Sequence, residues 1–176
     1  MPSIPKLSPL ALAALTLALP AAAIAGAFAF QAAGFAPCEL CLKERLPYYA
    51  GIVLGVLTLF LAWRGAGLAL TACFAALALL FLGSAGFGAY HAGVEWGFWP
   101  GPADCTGTLA RAPSMADFMK QLQTIKVVRC DAVAIRILGL SLAGWNVVVS
   151  LAVAGLAAAG AARRNTAALA AEAPAR

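Results

Sequence analysis

Four stretches of this chain carry no charged side chain: 7–38, 46–63, 65–94 and 137–162, of 32, 18, 30 and 26 residues. A helix rises about 1.5 Å per residue, so the hydrocarbon core of a bilayer takes about 20 residues to cross. Every stretch meets that length, the second barely. With 63% apolar and only 11% charged residues, the chain is unlike most soluble enzymes, and it is too hydrophobic to be disordered. The net charge of +5 is gathered in clumps between the apolar runs, so no nucleic-acid partner is expected. The fold expected is all-α and integral to the membrane: one domain over 1–162, a four-transmembrane-helix bundle. Its spans are read at 10–30, 48–63, 68–90 and 138–162, its loops at 31–47 and 91–137. An Ala-rich segment, 163–176, reads as a disordered tail without function.

Pro47 suits the first turn of the second helix. Small residues at helical spacing, Gly51 with Gly55, Ser84 with Gly88, and Gly155 with Ala159, would let neighbouring backbones approach closely. Lys6, the apolar run after it and Ala23-Ile24-Ala25 before Gly26 imitate a secretory signal with its cleavage site. The run is longer than the usual ~7 to 15 apolar residues of a signal, which favours a retained first span. Four spans put both ends on one side, with Lys6, Arg64, Arg163, Arg164 and Arg176 against the single acid Glu172. The two loops on the other side hold more cations, spread over about twice the length and mixed with acids. Cations counted close to span ends decide orientation, so both termini are expected in the cytoplasm.

The cysteines give an independent argument. Cys38, Cys41, Cys105 and Cys130 all fall in the two loops of the other side; only Cys73 lies within a span, as a small buried apolar residue. Thiols gathered there point to an oxidising compartment, the bacterial periplasm, and hence to an inner-membrane protein. Cys38-Glu39-Leu40-Cys41 is a C-x-x-C, a spacing that allows a reducible disulfide. Half a zinc site, a structural disulfide and a lipid-modified pair compete with that reading. Zinc would need Cys105 and Cys130 as its other half, and 24 residues lie between these, far from the short pairing of structural sites; no metal is therefore expected. Arg45 follows Cys41 by four residues, on the same face if the segment is helical. A fixed cation there would raise the thiolate fraction, whereas an arginine snorkelling to the headgroups would do nothing for the sulfur. Glu44 reads as solvated.

Trp96 and Trp99 suit a membrane interface. Ser114 with Asp117 resembles a capping box, and Met115, Phe118, Met119, Leu122 and Ile125 recur at helical spacing. A short amphipathic helix on the periplasmic bilayer surface would account for both; packing of these residues onto the bundle is the other reading. Two disulfide-capable pairs beside a membrane make a relay sensible, because thiol–disulfide exchange moves two electrons by thiolate attack. A thiol pair at the bilayer surface is well placed to reach a lipid-soluble acceptor, and no haem, flavin or nicotinamide signature competes with it; a membrane quinone is the natural inference.

With Pro37-Cys38-Glu39-Leu40-Cys41, Glu44-Arg45, four spans and a distant cysteine pair in the second loop, the chain resembles the bacterial disulfide bond formation protein B (DsbB) family. The resemblance runs from the first span to Asn146. It implies a membrane thiol oxidase that reoxidises a periplasmic DsbA-like dithiol protein and passes the electrons to ubiquinone or menaquinone. By position, Cys105 would take the partner's attack and Cys130 would exchange with Cys38. Cys41 would face the quinone, with Arg45 supporting its thiolate and polarising a quinone oxygen. Stretches 90–95 and 139–146 mark a divergent subgroup. His91, the only histidine, reads as an interfacial polar residue, with proton relay to the reduced quinone as the alternative. Two other functions compete: a non-catalytic four-helix scaffold stapled by disulfides, and a quinone reductase running in the opposite direction.

Overall fold

The computed structural model describes residues 7–65, 67–102, 114–117, 119 and 128–172, with side chains as far as Arg163. Four long helices, α1 (Pro9–Ala32), α2 (Glu39–Arg64), α3 (Leu68–Glu95) and α4 (Leu142–Glu172), follow the four apolar runs. Each contains a window long and apolar enough to cross a membrane. A hairpin of β1 (Arg136–Ile137) and β2 (Leu140–Ser141) leads into α4. Local chemistry sets the ends. Ser8 caps α1 by accepting the Ala11 N–H at 3.1 Å, with Pro9 in the first turn. Gly65, at φ +70°, closes α2 in the left-handed region.

Four boundaries differ by several residues from the sequence reading: the starts of α2 and α4, and the ends of α3, at Glu95 rather than 90, and of α4. Helix α2 starts at Glu39 rather than 48, because Cys38 caps it and the charges that follow are accommodated on a helix. Glu39 sits at the positive end of the helix dipole and pairs with Lys43 at 3.6 Å. Pro47 therefore lies inside α2 rather than in its first turn, where it withholds one backbone donor. Helix α4 starts at Leu142 rather than 138. Leu138 (φ 52°) and Gly139 (φ 85°) form a tight turn that pairs Ile137 with Leu140 and Arg136 with Ser141, the positive φ at both positions matching strand twist. Ser141 Oγ then accepts the Gly144 N–H at 3.2 Å, and the Trp145 indole N–H donates to Ile137 O at 2.9 Å, fastening hairpin to helix. At its far end α4 continues to Glu172, past Ala162 and into the segment read as disordered.

Helix α3 packs most extensively on α4, and α1 bridges α2 and α4. The core is built from Leu12, Leu70, Phe74, Leu77, Phe81 and Val153, all buried. Outward-facing residues are apolar too, Val53 being 73% and Leu79 71% exposed, as a helix surface built for lipid must be. One polar chain crosses this interior. Tyr48 Oη donates to Asn146 Oδ1 at 2.5 Å and lies 3.1 Å from Ser150 Oγ, which is 3.0 Å from Ser84 Oγ, linking α2, α4 and α3.

Close approach falls where the small residues predicted it at two of the three pairs. A Cβ on Gly51 would lie 2.6 Å from the Phe81 ring, one on Gly55 3.3 Å from Leu17, and one on Gly88 2.8 Å from Asn146 Nδ2. Gly155 meets nothing within 4 Å; on α4 it is Gly160, against Phe74, that makes room. Phe81 is fully buried, so Gly51→Ala is expected to destabilise by about 1–3 kcal/mol through overpacking. Thermal unfolding in detergent reads this as a lowered Tm, and an unchanged Tm would show that the ring yields.

Of the expected surface helix, Ser114 Oγ accepts the Asp117 N–H at 3.1 Å and donates to its carboxylate at 2.7 Å. Residues 115–117 and 119 are helical, with Met115 and Met119 exposed. Phe118, Leu122 and Ile125 lie outside the described residues. Trp96 and Trp99 are exposed, and Trp99 is held by a 2.9 Å hydrogen bond from its indole to Tyr90 O.

Candidate redox site

The site forms where α2 begins. Cys38, with extended backbone (φ −77°, ψ 173°), is the N-cap, and its sulfur accepts the Cys41 N–H at 3.2 Å. The first turn brings the two sulfurs to 2.7 Å, a separation from which a disulfide of about 2.05 Å closes by a small side-chain rotation. The Cys38 sulfur caps the positive end of the α2 dipole, which favours its thiolate.

Two residues that the sequence placed elsewhere complete the arrangement. His91 is 2% exposed, buried rather than interfacial, because α3 extends to Glu95 and turns the ring inward. Its Nε2 lies 3.7 Å from Cys38 Sγ. Glu44, three residues beyond Cys41, is 8% exposed rather than solvated, and its Oε1 lies 3.1 Å from His91 Nδ1. The carboxylate holds the ring with one nitrogen turned to the sulfur. Hydrogen bonding from Cys41, opposed by burial and helped by the His91 ring, pulls the Cys38 thiol down to about 5. Of the two sulfurs Cys38 is thus the one that favours thiolate, with the Cys41 thiol beside it as hydrogen-bond partner.

Cys41 looks the other way. With Glu44, Arg45, Tyr48 and Asn146 it lines a cavity of about 360 Å³ whose remaining wall is apolar, including Phe30, Phe35, Trp145 and Val149. Arg45 is buried rather than snorkelling: Nη1 donates to Gln31 Oε1 at 2.9 Å, and the guanidinium lies over the Phe28 ring at 5.2 Å. Its buried Nε has no hydrogen-bond partner among the described residues. The four-residue spacing thus places Arg45 and Cys41 on one wall, as a helical reading requires.

Cys130 is buried and disulfide-bonded. It packs in one cluster with Cys38, Leu40 and Val94, flanked by Cys41, Phe87 and Val128. Three of the four loop cysteines thus meet at one end of the bundle; Cys105 lies outside the described residues. Cys73 is a free thiol, half-buried within α3. His91, Glu44, Tyr48 and Asn146 join the site from separate helices. The signal for Glu44 and Tyr48 was present: with Cys41 they recur at i, i+3 and i+7, one face of a helix.

A family model described as disulfide bond formation protein DsbB matches residues 9–160, most of the chain. No curated protein and no solved structure matches it. With four apolar helices and a C-x-x-C capping the second of them, the chain belongs to the disulfide bond formation protein DsbB family, whose members are helical membrane proteins that serve disulfide formation.

Proposed function

We propose that the protein is a quinone-dependent thiol oxidase of the bacterial inner membrane, with both termini cytoplasmic, that reoxidises a periplasmic DsbA-like dithiol protein. The observation that carries this reading is that Cys41 and Arg45 stand on the wall of one largely apolar cavity. Its size falls in the range of small-molecule sites, and the unpartnered Arg45 Nε suits a carbonyl oxygen. These residues fit a quinone headgroup, which when bound supplies a two-electron acceptor.

In the proposed cycle, a partner thiolate attacks Cys105 of a Cys105–Cys130 disulfide, and the partner's second thiol resolves the mixed bond. The partner leaves oxidised, and Cys105 and Cys130 are left reduced. Cys130, packed against Cys38, then attacks the Cys38–Cys41 disulfide at Cys38 and releases the Cys41 thiolate towards the cavity. Arg45 balances that negative charge and orients the acceptor's oxygen. Attack by Cys105 on the Cys38–Cys130 bond restores the loop disulfide and frees Cys38, whose proton His91 Nε2 can hold while Glu44 fixes the ring. Closure of the Cys38–Cys41 bond hands two electrons to the acceptor. The two thiols of the partner thus become one disulfide, and two electrons and two protons leave with the quinol.

The test is anaerobic oxidation of a reduced DsbA-like protein by the purified chain in detergent, with soluble ubiquinone and menaquinone analogues. One quinone should be consumed per disulfide made. Thiol loss without quinone loss would overturn the reading, and a stapled scaffold would do neither. Within this assay Arg45→Ala is expected to raise the quinone KM about tenfold or more, with the protein still inserted. Arg45→Lys should rescue it only partly, since a point charge lacks the planar fork. An unchanged KM removes Arg45 from the acceptor site.

A further inference from the structure

The reduced pair presents a donor set that the redox cycle does not use. Cys38 Sγ, Cys41 Sγ and a His91 ring nitrogen all lie within 4.8 Å of one another. We propose that, when Cys38 and Cys41 are both thiols, they and His91 bind a divalent ion of the zinc class, which locks the pair reduced and halts disulfide formation. Only the consequence for turnover rests on the proposed function; the binding does not.

Two thiolates and one imidazole are the donors that zinc selects, leaving a fourth position open. Tetrahedral geometry with Zn–S near 2.3 Å and Zn–N near 2.0 Å sets sulfur and nitrogen about 3.6 Å apart; Cys38 Sγ and His91 Nε2 stand at 3.7 Å. The sulfurs need about 3.8 Å in the same geometry. From 2.7 Å, rotation of Cys41 about its Cα–Cβ bond supplies the difference. The outer contact is already made: Glu44 faces His91 Nδ1 at 3.1 Å, the carboxylate–histidine arrangement that fixes tautomer and ring in metal sites. Charge favours it too. Each thiol gives up its proton on binding, and the two negative sulfurs neutralise the ion, so the ion with its three donors carries no net charge. Cys41 and Glu44 line the cavity, through which water can reach the fourth position. Sequence spacing pointed away from zinc because it sought the missing donors in Cys105 and Cys130, whereas the third donor comes from α3, 53 residues from Cys38.

The probe is cobalt(II), titrated anaerobically into the reduced full-length chain in detergent, in a Cys105→Ser, Cys130→Ser background. One equivalent should bind with thiolate-to-cobalt charge-transfer and tetrahedral d–d absorption, and zinc should displace it. Closing the Cys38–Cys41 disulfide in that same chain should abolish the spectrum. Glu44→Gln should weaken binding about 10- to 100-fold, and His91→Ala at least tenfold. Absence of the bands overturns the proposal, as does a spectrum that survives oxidation or is unchanged by His91→Ala. The oxidation arm adds no substitution to the titrated chain, so misfolding cannot mimic its result. No quinone is present, so a chain that binds cobalt but fails to reduce quinone would sink the proposed function and leave this site standing.

Discussion

Replacing Cys41 with Ser is expected to bring quinone-dependent thiol oxidation down to the uncatalysed background, a loss of about a thousandfold or more, as befits removal of a reacting nucleophile. The argument is geometric. Cys38 faces His91 and the buried cluster containing Cys130, while Cys41 lines the cavity. Only one sulfur of the pair is therefore placed to pass electrons out. In the variant, Cys38 keeps its neighbours and can still exchange with Cys130, so the chain should accumulate a Cys38–Cys130 disulfide. Non-reducing peptide mapping reads that bond directly. Activity retained in Cys41→Ser would reverse the order of electron flow, making Cys38 the exit.

The second large effect concerns pH. Thiolate is the reactive form, and a thiol held down at about 5 is ionised throughout the neutral range. Alkylation of Cys38 in the reduced chain should therefore be nearly constant from pH 8 to about pH 6 and fall only as pH drops through about 5. An ordinary cysteine, with a pKa near 8.5, would already have lost most of its reactivity at about pH 7. His91→Ala removes one of the groups that lower the thiol while leaving Cys41 and the helix end in place. The midpoint should rise by about one to three pH units, slowing alkylation at pH 6 by about two- to ninetyfold as the thiolate fraction falls. Mass spectrometry of iodoacetamide-labelled peptides distinguishes Cys38 from Cys41 and Cys73. A midpoint unmoved by the substitution would leave His91 a packing residue and take the proton-holding step away from it.

The membrane architecture was legible because charge exclusion acts over whole helices: four uncharged runs became four helices, with the starts of α2 and α4 displaced by a cap and a turn and the ends of α3 and α4 running on past the residues expected. Cys38, Cys41 and Arg45 were legible because they are local to one helical face. Glu44 was misread as solvated because the partner that accompanies its burial, His91, comes from α3, 47 residues away. His91 was misread because its burial depends on how far α3 continues beyond residue 90 and on which way α2 presents Glu44, facts of packing between segments distant in sequence. Leu138 is similar: an apolar residue beside a glycine reads as the start of a span, and only its pairing across a tight turn removes it from α4.

The hydrogen-bonded chain from Tyr48 through Asn146 and Ser150 to Ser84 has a mechanical consequence. Hydrocarbon offers these groups no substitute partners, so α2, α3 and α4 cannot turn or slip past one another without stranding them. When the bilayer thickens or thins, such a bundle must answer by tilting as one rigid body. The wall that Tyr48 and Asn146 give the chamber beside Cys41 should keep its shape across lipids of different chain length.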